Sequence, residues 1–302
     1  HNVALREDAV RRRLSVSEYG VQAEDGEVFR AESEEELYAH LGYAWIPPEL
    51  RENRGELEAA RTGSLPELVE LSDLQGDLHM HTTWSDGRGT LEEMVLAARE
   101  LGRRYVAICD HAKRLRGDLL ARQTAEIETL RERVDGVEIL AGIEVDIRRD
   151  GSFDLEDDLL AERDWVMASV HSGFREGSGE VTRRLLAAIE HPHVDCIGHP
   201  TGRKLEQRRP YDAGWDTVFA RAAETGTFLE INCQPDRLDL KDTMARAAAE
   251  AGVKLVVSTD AHRVHELENL ELGVFQARRG WLTKDHVVNT RPWREVRRML
   301  KA

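Results

Sequence analysis

From residue 77 onward, short β-branched or apolar runs alternate with helical patterns, and this alternation leaves the chain few folds to choose from. The runs cover residues 77–81, 105–109, 137–145, 165–170, 196–198, 228–231 and 254–258. Between them lie amphipathic stretches of about ten to fifteen residues. One example is the segment opened by a Thr90/Glu93 capping box and stopped by Gly102. Strands that alternate with helices pair in parallel through right-handed crossovers. Seven such units in about 225 residues suit a closed barrel better than an open sheet. The expected fold class is α/β, a seven-stranded (β/α)7 TIM-like barrel, with a small α+β remnant at the N-terminus.

The first 75 residues differ. Residues 2–14 read as a basic, weakly amphipathic helix and 26–30 as a short strand; Ser33 and Glu36 form a capping box for a helix running to about Leu41. The prolines of Tyr43-Ala-Trp-Ile-Pro-Pro48 prevent its continuation. The expected division is a small domain over 1–45, a connector over 46–75 and the barrel over 76–302. Because the chain opens on His1 without a charged-then-apolar leader, it reads as a piece of a longer polypeptide.

Fifty-seven acidic residues against 42 basic ones give a net charge of −15, which argues against nucleic-acid binding by global attraction and requires any anion to be held locally. No apolar run approaches the roughly 20 residues of a membrane helix, so no membrane partner is expected. Cys109, Cys196 and Cys233 are odd in number and scattered, which suits buried thiols and a reducing cytosol, hence a cytoplasmic location.

The chemistry sits at the C-terminal end of each run. The first ends in His79-Met-His81 with Asp86 just beyond, and the second in Asp110-His111. The third carries Glu144, the fourth ends in His171, the fifth in His199 and the seventh in Asp260-Ala-His262. One polar residue of ligand type recurs at intervals of about 30 residues, with the sixth run as the exception. In a βα barrel these positions converge on one rim. Burying so many titratable groups together is costly without counter-charge, which divalent cations supply. Imidazole and carboxylate without cysteine suits zinc, manganese or iron, and two or three ions within about 4 Å would support a bridging hydroxide nucleophile. Each piece alone has a plain structural reading, since a His-x-His pair is a common accident and Glu144 could be a salt-bridged barrel residue. Their regular recurrence at strand ends favours the metal. His191 and His193 precede the fifth run, so they fall on the opposite rim and read as surface residues.

Basic residues follow the same strand ends: Arg88, Lys113, Arg114, Arg116, Arg175, Arg203, Lys204, Arg208, Arg209 and Arg263. Arginine offers bidentate donors to phosphate, so Arg203, Lys113, Arg175, Arg263 and Lys204 are candidate phosphate or DNA contacts, with Arg203 favoured for its closeness in sequence to His199. Trp84, Phe174 and Tyr211 lie in the same loops and either stack on a base or cap the barrel.

Gly76-Asp-Leu-His-Met-His-Thr-Thr-Trp-Ser-Asp-Gly87, Asp110-His111, Gly142-Ile-Glu144, Ser169-Val-His171, Ile197-Gly-His-Pro200 and Ser258-Thr-Asp-Ala-His262 together resemble the polymerase and histidinol phosphatase (PHP) domain over about residues 75–300. Pro47-Pro-Glu-Leu-Arg51, Glu70-Leu-Ser-Asp73 and Asn289-Thr-Arg-Pro-Trp293 make this form similar to the C-terminal region of bacterial family X DNA polymerases, and His1-Asn-Val-Ala-Leu-Arg6 resembles their thumb end. The resemblance implies a distorted seven-stranded barrel with three divalent ions, manganese favoured and zinc or iron possible. It would place His79, His81, Glu144 and Asp260 on one ion, Asp86, His111 and His262 on a second, and His171 and His199 with bridging Glu144 on the third. Asp86 stands where some members have histidine. The implied activity is phosphoester hydrolysis at DNA 3′ ends, a 3′-to-5′ exonuclease in repair, with Glu144 and Asp260 serving a bridging hydroxide and the polymerase domain of the full-length chain as partner. A small-molecule phosphatase of the histidinol-phosphate type and a non-catalytic metal-stabilised module are the alternatives.

Overall fold

The computed structural model describes residues 1–301, which divide into two compact units, 1–67 and from 68 onward. The first unit carries helices Asn2–Arg11, Glu34–His40 and Glu56–Thr62 and an antiparallel sheet of β1 (Leu14–Ser17), β2 (Gly20–Ala23) and β3 (Val28–Phe29). Ser33 Oγ accepts from Glu36 N at 3.2 Å, but the Glu36 carboxylate accepts from Glu32 N rather than Ser33 N, so only half of the expected capping box forms. The strands β1 and β2 were not expected, because Leu-Ser-Val-Ser and Gly-Val-Gln-Ala are too short and too polar to read as strands before they pair. The connector expected over 46–75 is also corrected. Its first part contains the helix Glu56–Thr62 and belongs to the first unit, where buried Ala59 and Ala60 join a core with Leu5, Tyr38 and Leu50. Asp8 draws Tyr43, Arg12 and Arg61 together at 2.6, 2.7 and 2.9 Å.

The second unit is α/β with parallel sheets. The strands are β4 (Gly76–Met80), β5 (Tyr105–Ile108), β6 (Glu138–Leu140), β7 (Gly142–Asp146), β8 (Trp165–Ser169), β9 (Cys196–Gly198), β10 (Phe228–Asn232) and β11 (Leu255–Ser258). They form a three-stranded sheet β4-β5-β6 and a five-stranded sheet β11-β10-β9-β8-β7. The single run expected over 137–145 is thus two strands separated at Ala141 and belonging to different sheets. Parallel bridges pair His111 with Glu144 and Met80 with Ala261 at the two junctions.

Alternation sorts the side chains. Val106, Ile108, Val166, Ile197 and Leu229 pack beneath amphipathic helices such as Leu91–Glu100 and Ser178–Glu190, while Leu78, Ala107, Met167, Cys196, Phe228 and Val256 form a separate cluster with Trp293 and Val296. Two residues beyond Phe228 on the same face comes Glu230, so the face that begins apolar turns polar toward the strand ends. The β4–β5 register shifts between Asp77 and Met80. Such an irregularity re-aims side chains, and here Leu78 stays in the apolar layer while His79 meets Glu230.

At the other end of the strands, buried Asp195 accepts from Val166 N at 2.8 Å. Burial pushes its carboxyl up to about 7, against the Val166 bond and the Lys301 charge. An acid raised above its unfolded value stabilises the fold below that unfolded value and loses the contribution as pH rises through the folded one. Asp195→Asn keeps the acceptor and removes the ionisation. Its melting temperature relative to wild type should therefore climb between pH 5 and pH 8, by at least about 2 °C, the shift that roughly 1 kcal/mol produces in a domain of this size. Parallel melting curves across that range would show no drift if Asp195 is ionised at no cost.

Candidate metal centre

Because every strand of the second unit runs in the same direction, its C-terminal ends form one rim. His79 leaves β4 with His81 just beyond it; His111 follows β5; Glu144 lies in β7; His171, His199 and Asp260 follow β8, β9 and β11. Their rings and carboxylates crowd together. His79 Nε2 lies 3.1 Å from His81 Nε2 and 3.5 Å from Asp260 Oδ1, and His81 Nε2 lies 3.1 Å from Asp260 Oδ1. Glu144 sits at the centre of another set, its oxygens 2.7 Å from His111 Nδ1, 3.2 Å from His199 Nε2, 3.5 Å from His171 Nε2 and 3.7 Å from His79 Nε2. Asp86, half exposed, lies 3.4 Å from His262 Nε2 and 3.5 Å from His111 Nε2.

Three groups bring donor atoms within 4.8 Å of one another: His79, His81 and Asp260; His81, Asp86, His111 and His262; and His111, Glu144 and His171. All nine expected ligands meet at this rim, but the sharing differs from the expected sets. His81 and His111 each serve two groups, and His199, outside all three, meets Glu144 at 3.2 Å and the His171 ring at 5.0 Å between centres. The expected sets, implied by the family resemblance, give each ring to one ion, and the packing of the rings does not separate them in that way.

The electrostatics fit a cation. Burial pulls His81 down to about 4, reinforced by His262 and His111 and opposed by Asp260. Burial and the Arg237 charge likewise hold His199 at about 4. Glu144 is buried, which opposes its ionisation, yet His171, His111 and His79 hold it well below the usual carboxylate range. Asp86 and Asp260 are also kept ionised by neighbouring imidazoles despite burial. His81 and His199, neutral beside ionised carboxylates, are donors that divalent cations take, whereas the surrounding carboxylates raise His79, His111 and His262 despite their burial, so a bound cation would displace their protons. His81 Nδ1 and His199 Nδ1 are buried with no hydrogen-bond partner, and buried polar atoms left in this state call for an ion or water.

Sequence reasoning missed the supports of these ligands. Glu230 on β10, wholly buried, accepts from His79 Nδ1 at 2.7 Å, His199 N at 2.6 Å and Ser258 Oγ at 2.8 Å. Its signal was a carboxylate inside an apolar run, the one of the seven runs that lacked a ligand of its own. Asp110 accepts from Thr82 N and Oγ1, Ser85 Oγ and Gln123 Nε2, fixing the turn before Asp86. Asp146 holds His171 Nδ1 at 2.5 Å.

The cleft over the cluster has a volume of about 470 Å³ and is lined by Lys113, Lys204 and Arg237 besides the ligands. The favoured phosphate contact, Arg203, is corrected: its guanidinium is spent on the carbonyls of Arg237 and Leu238. In its place stands Arg237, with Nη1 buried and unpartnered and Nε 3.8 Å from Asp260 Oδ2. Nothing in its local sequence marked it, since loop folding alone brings it over the cleft. Lys113 and Lys204 line the cleft but lean on Asp146 and Asp236 at 3.3 and 2.9 Å. Arg263 lies 4.0 Å from Glu266, and Arg175 lines a neighbouring hollow. Tyr211 is buried and bonded to Pro200 O, and Trp84 Nε1 donates to Glu126 at 2.8 Å. His191 packs edge-on against Phe153, away from the cluster.

The family model described as the PHP domain matches residues 77–234. The chain belongs to the PHP family. A second model, the DNA polymerase beta thumb, matches residues 1–52, past the limit expected for the small domain. The whole chain aligns at 42% identity with the DNA polymerase/3′-5′ exonuclease PolX of Bacillus subtilis strain 168, a family X polymerase, and spans 54% of that protein's length. A probable phosphatase of Thermoanaerobacter sp. strain X514 is 32% identical over 71% of this chain and 89% of its own length. The chain is thus a metal-dependent phosphoesterase of the PHP type, and its rim carries the clusters able to bind the metal.

Carboxylate partners that orient a ligating imidazole are typically worth 10- to 100-fold in metal affinity. Glu230→Ala should lose about that much, measured by metal titration with circular dichroism to verify folding, whereas Glu230→Gln retains an acceptor for His79 and should fall between. Equal affinity in all three proteins would remove Glu230 from the site.

Proposed function

We propose that this chain hydrolyses phosphoester bonds at DNA 3′ ends, as a 3′-to-5′ exonuclease and end-processing module of a family X polymerase. The observation that carries the phosphoester reading is the cleft itself, where ionised Glu144, Asp86 and Asp260 and neutral His199 line the same walls as Arg237, whose Nη1 is buried without a hydrogen-bond partner. The DNA 3′ end is favoured by the likeness to PolX and the thumb match, which also make a polymerase domain the natural partner. In this reading the two parallel sheets act together as one distorted barrel, with β6 and β7 in the place of a single expected strand, and the nine rim residues divide among three ions, manganese being preferred.

Bound divalent ions would neutralise the carboxylates and stabilise charge developing on the phosphoryl oxygens. Glu144 and Asp260, held ionised, fix the positions of the histidines around them. Arg237 would bind a phosphoryl oxygen from the open side, while Lys113 and Lys204, each already shared with an aspartate, would add charge without holding the group in one orientation.

Purified protein given manganese should shorten a 3′-labelled oligonucleotide, and a chelator should abolish the activity. Arg237→Ala should lower kcat/KM by about 10²- to 10³-fold, the usual cost of one donor aimed at developing charge, with metal content unchanged. Failure to shorten DNA with metal bound, together with fast turnover of small phosphomonoesters, would move the assignment to the second reading, a small-molecule phosphatase, which the Thermoanaerobacter likeness favours.

A further inference from the structure

Beside the metal cleft lies a second, larger hollow of about 830 Å³ that the hydrolytic chemistry leaves unused. Arg149, Phe174, Arg175, Lys204 and Arg208 line it, with Glu176 as its one carboxylate. On a chain with a net charge of −15, four cations in one hollow are a local reversal of sign. The hollow adjoins the cleft, since Lys204 lines both, and the segments that deliver His171 and His199 to the cleft run on to Phe174 and Lys204 in the hollow.

Its walls are built rather than incidental. Arg184, wholly buried, donates to the carbonyls of Arg148, Ser172 and Ile147 and to Glu176 Oε2, tying together the two loops that carry Arg149 and Phe174 to Glu176. Gly173 sits at φ +74, where a Cβ would fall 2.6 Å from Glu176 Oε1 and 2.7 Å from Arg184 Nη1. Gly202, at φ +61, lets Tyr211 and Phe174 approach where a Cβ would lie 2.8 and 3.1 Å from their rings. The Arg208 guanidinium lies 3.6 Å from the centre of the Phe174 ring, which is itself stacked with Tyr211 at 6.5 Å between centres. Arg149 pairs with Glu176 at 2.9 Å on a mostly exposed side chain, and Arg175 is exposed, with no ion-pair partner among the described residues.

We propose that this hollow holds the single strand of DNA that leads away from the bond being cleaved. Arg149, Arg175 and Lys204 would take its internal phosphates, and the Arg208 plane, backed by Phe174, would stack on a base. Cationic grooves with stacking planes bind single strands without reading their sequence. The cleft alone recognises one phosphoryl group, so the hollow would make the enzyme prefer a polynucleotide end over a small phosphoester. This rests on the DNA reading above.

The test compares wild type with the double variant Arg149→Ala/Arg175→Ala on three substrates: the p-nitrophenyl ester of thymidine 5′-monophosphate, a thymidine dinucleotide and a thymidine octanucleotide, with binding of the fluorescein-labelled octanucleotide followed by anisotropy. Wild type should gain about tenfold or more in kcat/KM from dinucleotide to octanucleotide. The double variant should lose that gain through KM and turn over the ester within about twofold of wild type. Its binding should lose about 1.4 from the slope of log affinity against log salt, two cations at roughly 0.7 each. Equal losses on ester and octanucleotide, or an octanucleotide gain that survives the double substitution, would overturn the proposal. If metal-loaded wild type cleaves neither nucleic acid while the octanucleotide still binds through Arg149 and Arg175, the hollow stands and the exonuclease reading falls.

Discussion

The contact of Glu144 with the imidazoles of His111, His199, His171 and His79 is the interaction on which the second unit depends functionally. A wholly buried carboxylate is tolerable only if neighbouring positive charge offsets its desolvation, which His171, His111 and His79 supply here, each from a different strand end. Glu144 therefore couples the geometry of β4, β5, β8 and β9. It also needs the break at Ala141, because β6 pairs with β5 whereas β7 pairs with β8, and the His111–Glu144 bridge spans the gap.

Holding the ring of ligands in place costs backbone strain. His199 sits at φ +29 and Asp260 at φ +53, in a region that residues with a Cβ rarely enter and that costs of order 1–3 kcal/mol each. The surroundings over-determine both. The His199 N–H donates to Glu230 at 2.6 Å, and Asp260 N donates to His79 O at 2.8 Å while its Oδ2 accepts from Asn232 Nδ2 at 3.0 Å. A second layer of buried carboxylates repeats this logic below the ligands. Asp77 fixes Thr259, Asp110 fixes Thr82 and Asp239 fixes Thr201, each through a backbone N–H and a hydroxyl.

The ligand positions were legible because they obey a local rule: a hydrogen-bonding residue at the end of an apolar run, once per βα unit. The supports were not. Glu230 was hidden within a strand, Asp146 closes β7 with nothing local to mark it, and Asp110, noted beside His111 at a strand end, gave no sign that it would brace the Thr82–Ser85 turn. The phosphate contact was misread for the same reason. Arg203 lies close to His199 in sequence, but its guanidinium meets carbonyls of the loop after β10, and that loop turns Arg237 toward the cleft instead.

Composition and periodicity by themselves determined that the chain alternates parallel strands with helices and that its histidines and acids fall on one rim, because these depend on the two periods of regular structure and on chain direction. Which ring faces which carboxylate, where β4 slips register, and which arginine faces the cleft were decided only when the chain closed on itself. Those outcomes depend on distances between residues far apart in sequence, such as the 2.7 Å contact between His79 and Glu230, to which no local pattern is sensitive.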